Sequence, residues 1–321
     1  MERLADWQSE VLRATDPGWM RAMIFADARV LQPVLAKLGS EKAVSLKSAM
    51  DYAWGLGDDV KTHLDILRES PDYEPDSLTA EFVYAQPTDS MLTLSRERFA
   101  LDSIAGEGDD ISRIKNLLYW VHDNIRHDGS KDVTADHFNL REIYDASRRD
   151  SIGVNCRGLA ICLTEALLSV GIPAKYLTCQ SKAWETDNDC HVICAAWSES
   201  LGKWIWVDPT FAAYVTDENG LLLHPGEVRN RLRNNLPLVL NSDANWNHED
   251  KQTKDYYLDE YMAKNLYIIS TNTVNQAEPE GPSGHLQGVI VALVPKGVDF
   301  NQSKVNTTDE DWFWKAPSKA F

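Results

Sequence analysis

The sequence lacks an excess of positive charge. Its 32 Lys and Arg stand against 49 Asp and Glu, for a net charge of −17. Lys and Arg supply the affinity for nucleic acid and for anionic membrane surfaces, so neither is an expected partner, and solubility is the plainer consequence of the charge. No apolar run approaches the ~18 residues that a membrane-spanning helix needs, so no membrane span is expected. The first residues, Met1-Glu2-Arg3-Leu4-Ala5-Asp6-Trp7, have neither the basic start nor the apolar centre of a secretory leader. The expectation is a cytoplasmic protein as given, the alternative being an exported form whose leader has been removed. There is no internal repeat and no CxxC pair. The five cysteines all fall between Cys156 and Cys194, and an odd number rules out a fully paired disulfide framework.

What is present is ordinary for a soluble globular protein: 321 residues, 43% hydrophobic and 25% charged. That length suits one large domain or two modest ones. Residues 1–75 read as a helical N-terminal module, with Leu4, Trp7, Val11 and Leu12, and then Leu31, Val34, Leu35 and Leu38, near helical spacing. The loop Ser70 to Asp76, with two prolines, is the best boundary. Residues 76–321 then read as a second domain with a C-terminal extension. Leu78 to Tyr84 alternates like a strand, and Gln86 to Asp89 is a turn before Met91 to Leu101.

Asp109 or Asp110 caps an expected helix whose apolar stripe is Ile111, Ile114, Leu117, Leu118, Val121 and Ile125, with Trp120 beside it. His122 and His127 at its end are candidate bases, though each is more simply a helix C-terminal residue favoured by the dipole. A helix over Leu140 to Arg148 leads into Gly153-Val154-Asn155-Cys156-Arg157-Gly158-Leu159-Ala160. The helix opened by Cys156 ends at Gly171 with Pro173 beyond. Ala174 to Gln180 and Cys190 to Ser198 read as strands, and the turn Glu199-Ser200-Leu201-Gly202 makes a hairpin into Lys203 to Asp208. Farther on, Val228 to Leu232 and Asp255 to Lys264 are helical patterns, and Asn265 to Ser270 and Gly288 to Pro295 are strand patterns. Glu278 to Gly284 is a long turn. The late aromatics Trp312, Phe313 and Trp314 anchor the tail by burial.

Three positions carry chemistry. Cys156 lies in the first turn of its helix, where free N–H groups and the positive end of the dipole favour a thiolate. Its own N–H can also meet a developing oxyanion. The plainer role is a buried core thiol. His191 interrupts a mostly apolar strand and shares a face with Ile193, Ala195 and Trp197. Asp208 ends the next strand, where antiparallel pairing brings it towards His191. A thiol, an imidazole and a carboxylate so ordered suit a nucleophile, its base and the group that orients the base. Zinc on Cys179, Cys190, His191 and Cys194 is the competing set. Cys190 and His191 point to opposite faces, and Cys190 and Cys194 lie ~13 Å apart on an extended strand, so no metal site is expected. Trp246, Asn247 and His248, with Tyr256, Tyr257 and Tyr261, either line the cleft or simply pack. His224 and His248 lie outside the motif and are assigned no role of their own.

These segments together resemble the transglutaminase-like superfamily, whose cysteine enzymes share a papain-like core. The resemblance rests on Gly-Val-Asn-Cys156-Arg-Gly-Leu-Ala, on Leu-Leu-Ser-Val-Gly171-Ile-Pro-Ala-Lys-Tyr, on Cys-His191-Val and on Trp-Ile-Trp-Val-Asp208-Pro-Thr. Trp120-Val121-His122-Asp123-Asn124-Ile125 is similar to the helix that precedes the nucleophile in bacterial-type members. His191 follows Cys156 by 35 residues and Asp208 follows His191 by 17, in the family's order. The resemblance covers roughly residues 110–215. It implies an α+β fold, with the Cys helix packed on an antiparallel sheet. It also implies Cys156 as nucleophile, His191 as base and acid, Asp208 as orienting acid, and acyl transfer through a thioester. No cofactor is implied. Asn155-Cys156-Arg157 departs from the Gln-Cys-Trp of the animal crosslinking enzymes, and no acidic calcium loop is seen. The leading expectation is therefore a cysteine hydrolase, protease-like or amidase-like, on a peptide or other amide substrate. The alternatives are an amine acyltransferase and a non-catalytic scaffold. Asn155 and Arg157 are the candidates for oxyanion or substrate contact, with Asn155 also placed to cap the helix. Oligomeric state is not legible.

Overall fold

The computed structural model describes residues 61–78, 80–130, 138–280 and 288–318. The helical reading of residues 1–60 and the end of the expected turn at 281–284 lie outside them. One compact unit runs from Ile66 to Phe321. The expected boundary in the loop 70–76 falls inside that unit: Arg229 donates to the Ser70 hydroxyl at 2.9 Å and Arg233 to the Ser70 carbonyl at 2.7 Å.

The unit is a helical layer on a sheet. Helices α1 (Ser90–Phe99), α2 (Asp110–Asn124) and α3 (Leu140–Asp150) surround a central helix, α4 (Cys156–Ser169). The strands are β1 (Ala174–Gln180), β2 (His191–Ser198), β3 (Lys203–Val207), β4 (Ile268–Asn272), β5 (Ile290–Leu293) and β6 (Val305–Thr307). They are ordered β6-β5-β4-β1-β2-β3 in one sheet. All neighbours run antiparallel except β5 and β6.

The order follows from the sequence. Helix α4 carries apolar or small side chains on nearly every side, and residues 158 to 169 are all buried, as a helix enclosed by others requires. It stops at Gly171, whose φ of +80° takes the left-handed turn that a side chain would disfavour. Its apolar neighbours Leu159, Cys162, Leu163 and Leu167 share one core with Tyr176, Val192, Cys194 and Ala196 of the sheet. β2 and β3 form the expected hairpin, with Cys194 opposite Val207 and Ser198 opposite Lys203. The hairpin turn is tied to the start of α2, where Asp110 accepts from the Ser198 hydroxyl at 2.7 Å and from the Ser200 N–H at 3.1 Å.

Two buried ionisable groups fasten the layers. Glu165 of α4 accepts from the Ser95 hydroxyl at 2.5 Å and from the Leu140 N–H at 2.9 Å, joining α1 and α3 to the central helix. Burial pushes its carboxyl up to about 7 despite those donors. Lys175, on the other face of the sheet, is ringed by Phe82, Phe313, Trp204 and Trp314 at 4.3 to 4.9 Å and donates to the Phe313 carbonyl at 2.8 Å. The late aromatics therefore anchor the tail, as expected.

Elsewhere the structure departs from pattern. Among the described residues of the expected strand 78–84, only Val83–Tyr84 pairs, parallel to Val274–Asn275, and 78 and 80–82 are irregular. The helix expected over 255–264 is π-helical across Tyr257–Met262. Tyr257 and Tyr261, four residues apart, both pack near Phe211, with ring centres 5.2 and 6.4 Å from it.

The segment that leads to Cys156 is stitched to the end of α2. Val154 N–H donates to the Arg126 carbonyl at 2.8 Å, and Asp128 N–H donates to the Val154 carbonyl at 2.9 Å. Gly153 allows this approach. A Cβ there would lie 2.4 Å from Asp128 Cβ, 2.7 Å from its nitrogen and 2.9 Å from the carbonyl carbon of His127. Those backbone atoms cannot swing aside. Gly153→Ala should cost roughly 1–3 kcal/mol, as overpacking does. The check is a melting curve, where we expect a midpoint several degrees lower and slower alkylation of Cys156.

Candidate active site

His191 and Asp208 arrive from the adjacent strands β2 and β3, and Cys156 from the start of α4. Asn155 is the N-cap of α4, its side-chain oxygen accepting from the Gly158 N–H at 2.9 Å. That cap sets the first turn so that the Cys156 sulfur meets the Val192 N–H and the side chains of His191 and His127. Cys156 itself is half-buried, whereas His191 is 1% exposed and Asp208 fully buried.

A buried carboxylate needs donors, and Asp208 has three. His191 Nε2–H donates to Oδ2 at 2.6 Å, the Tyr257 hydroxyl donates to the same oxygen at 2.6 Å, and the Thr210 N–H donates to Oδ1 at 2.8 Å. Trp206 Nε1–H in turn donates to the Tyr257 oxygen at 3.2 Å, which aims the phenol proton at Asp208. Because Nε2 is committed to Asp208, Nδ1 is the nitrogen that faces the sulfur. Phe211 and Tyr261 pack against the imidazole, with ring centres 5.6 and 5.2 Å away.

The electrostatics follow. Burial alone would lift the Cys156 thiol, but the hydrogen bonds from His127 and His191, the charge on His191 and the Val192 N–H outweigh it and bring the group down to about 6. Burial alone would lower His191, but the charge and hydrogen bond of Asp208 and the contact with Cys156 raise it to about 10. Burial would raise Asp208, yet the His191 charge and the three donors keep it below the usual carboxylate value. Thiolate and imidazolium therefore coexist over a wide span around neutral pH.

His127 is the residue that sequence reasoning left with a plainer role. It lies beside Val154 in the stitched segment. Trp246 Nε1–H donates to its Nδ1 at 2.8 Å, so Nδ1 is an acceptor and Nε2 carries the proton in the neutral ring. The Asn247 side chain clamps the His127 backbone, accepting its N–H at 2.8 Å and donating to its carbonyl at 3.0 Å. Of the aromatic-rich stretch, Trp246, Tyr257 and Tyr261 thus touch members of the site, and Tyr256 stacks on Tyr261. A tryptophan N–H and a tyrosine hydroxyl near a catalytic motif were the only sequence signals for these contacts.

Arg157 lies beside a cavity of about 480 Å³ that also takes in Thr178, Trp184, Cys190, Glu280 and Gln302. It pairs with Glu280 at 2.7 Å. The competing metal set is not gathered: Cys194 donates to the Ala160 carbonyl at 3.1 Å on the α4 side, while Cys179 pairs with His191 in the ladder. All five cysteines are free thiols, and the buried Cys162, Cys179 and Cys194 have their ionisation pushed up by burial.

The sequence model of the transglutaminase-like superfamily matches residues 97–209. No curated protein gives a significant match. Among solved structures, a protein provisionally assigned as a cysteine protease from Cytophaga hutchinsonii is 19% identical, over 51% of this chain and 46% of that one, with a TM-score of 0.28. The chain thus spans about half the length of that protein. Legionella pneumophila LapG is 16% identical, over 57% of this chain and 97% of its own, with a TM-score of 0.29. Similarity at that level adds no detail. The match to the transglutaminase-like superfamily falls on the helix-on-sheet core, over residues 97–209.

Proposed function

We propose that the protein is a cysteine hydrolase that cleaves an amide through a thioester, with Cys156 as nucleophile, His191 as general acid and base, and Asp208 as the group that orients and charges His191. The observation that carries this reading is the thiol of Cys156 set between His191 and His127 and brought down to about 6. A structural thiol in a core is pushed the other way, as in Cys162 and Cys179.

The thiolate attacks the amide carbonyl carbon, and the C=O electrons move to oxygen. The oxyanion is met by the Cys156 backbone N–H at the start of α4 and by His127 Nε2–H, the second donor. The intermediate collapses as the C–N bond breaks, and His191 gives its Nδ1 proton to the leaving amine. Water, deprotonated by Nδ1, then attacks the thioester carbonyl, releasing the carboxylic acid and restoring the thiolate. Asp208, Tyr257 and Trp206 fix the imidazole orientation throughout. The cavity beside Arg157 is edged by charged and amide side chains, which favours a polar, peptide-like substrate.

Alkylation of Cys156 by iodoacetamide, followed by intact mass across pH, tests the pair. The rate should rise through about pH 6 as the thiolate forms, well below the ~8.5 of an ordinary cysteine. Turnover of an amide substrate should rise on the same limb and fall near pH 10, where His191 loses its proton. Cys156→Ala should abolish turnover with the fold intact, and unchanged turnover would sink the mechanism. Product analysis in the presence of a primary amine distinguishes a free acid, from hydrolysis, from a new amide, the mark of acyl transfer.

His127 is tested separately. His127→Ala should lower kcat by roughly 100- to 1,000-fold, the usual effect of losing one oxyanion donor, with little change in KM. His127→Gln, which keeps an N–H donor, should recover part of the rate. A kcat equal to wild type in His127→Ala would remove it from the oxyanion site.

A further inference from the structure

A second group of ligating side chains lies behind the wall that carries His127. Helix α2 presents His122 and Asp123 near its end, and the segment 245–248 brings His248 against them. His248 Nε2 is 3.3 Å from Asp123 Oδ1, and the His122 and His248 rings are 4.8 Å apart. One ligating atom from each of the three residues lies within 4.8 Å of the other two. They open onto a cavity of about 420 Å³ distinct from the one beside Arg157.

The hydrogen bonds of His122 point to a missing partner. The residue is 5% exposed, and its Nδ1 is 3.1 Å from the Pro209 carbonyl, an atom that only accepts. Nδ1 therefore carries a proton, and in the neutral ring Nε2 is a bare lone pair. Yet Nε2 lies 3.1 Å from the Asn245 side-chain oxygen. The orientation of that amide is fixed, because the oxygen accepts the His248 N–H at 2.6 Å and the nitrogen donates to the Asp243 carbonyl at 2.9 Å. Two acceptors thus face each other at a mostly buried position, an arrangement that costs free energy unless something positive sits between or beside them. An imidazole that gives one N–H to a backbone carbonyl and has a carboxylate and a second imidazole within 4.8 Å has the surroundings of a metal-bound histidine.

We infer that His122 Nε2, the Asp123 carboxylate and the His248 imidazole form a site for a divalent metal ion of the zinc class. Two imidazoles and one carboxylate suit zinc or cobalt, whereas calcium takes an all-oxygen set. Donors about 2.1 Å from a tetrahedral ion lie roughly 3.4 Å apart, so the group must tighten from its 4.8 Å span. His248 and Asp123, with side chains 60% and 50% exposed, are free to make that movement, while His122 is the fixed point. The fourth position faces the cavity. Arg126 and Arg148 line the same space, which favours an anion or water there, and Arg126 is already paired with Glu249 at 3.1 Å.

The ion holds two points of the catalytic wall. Through His122 it braces the Pro209 carbonyl, next to Asp208, and through His248 it braces the preceding residue, Asn247, which clamps His127.

The test uses the full chain carrying Cys156→Ala, so that the active-site thiol cannot take the metal, stripped with a chelator. It is titrated with ZnCl2 by calorimetry and with CoCl2 by visible absorption, and its melting point is read with and without zinc. We expect one equivalent bound, the absorption of a four- or five-coordinate cobalt site, a raised melting point, and no displacement of cobalt by CaCl2. His248→Ala and Asp123→Asn, both at exposed positions, should each weaken binding by at least ~10-fold. No stoichiometric binding, displacement of cobalt by calcium, or binding unchanged in both variants overturns the site and leaves only the pair of His248 and Asp123. Because the tested chain lacks Cys156, the result is independent of whether the acyl-transfer reading holds.

Discussion

The carboxylate of Asp208 is the constraint on which the rest depends. It is fully buried on the sheet, and a charge so placed costs several kcal/mol unless it is paired and hydrogen-bonded. His191, Tyr257 and the Thr210 N–H supply that compensation. The consequences spread outward. His191 must keep its Nε2–H on Asp208, so only Nδ1 faces Cys156, and the buried negative charge makes His191 hold a second proton. That cation, in turn, makes a thiolate the stable form of Cys156. The reactive pair is therefore set up from behind, by a group that the substrate never touches.

Such an arrangement is rigid on one side and adjustable on the other. β2, β3 and α4 share one core, so Cys156, His191 and Asp208 cannot shift without disturbing packed side chains. His127 is held differently. It follows the end of a helix, joined by a two-bond stitch to the segment before Cys156 and by side-chain hydrogen bonds to the 245–248 segment. Asn247 and His248 there both have left-handed backbone, with φ of 53° and 61°, a conformation that costs a histidine roughly 1–2 kcal/mol. The hydrogen bond from the His248 N–H to the Asn245 side chain offsets part of that cost.

The half of the site that the sequence made legible is the rigid half. Periodicity, the stop at Gly171-Ile172-Pro173 and the turn at Gly202 put α4, β1, β2 and β3 within a residue or so of where they lie, because local pattern and tertiary packing agree there. Hairpin register then carries Asp208 to His191 across only 17 residues. The contacts that escaped are long-range. Trp246 reaches His127 across 119 residues and Tyr257 reaches Asp208 across 49, and neither position belongs to a pattern that a single chain displays. Asn155, read both as a helix cap and as an oxyanion candidate, has its side-chain oxygen on the Gly158 N–H. The π-helical turn was hidden as well, since Tyr257, Leu258 and Tyr261 have the spacing of an ordinary helix. From this turn one phenol meets Asp208 while the other ring packs on His191.

The two halves make different demands on catalysis. Thiolate formation needs the buried charges and tolerates small movements of the surface, because Coulomb interactions fall off slowly at low dielectric. Oxyanion stabilisation needs a donor within hydrogen-bond reach of an atom that exists only in transit, so it is sensitive to displacements of less than an ångström. In the proposed reaction the tolerant function falls to the sheet, and the sensitive one to a loop-held histidine. The neighbours of that histidine, Trp246 and Asn247, lie next to His248 and the exposed cavity. A ligand or ion that engages the segment 245–248 would act on His127, the proposed oxyanion donor, before it acts on Cys156. Control applied there would change the rate of the proposed acyl transfer while leaving the sheet-held Cys156, His191 and Asp208 in place.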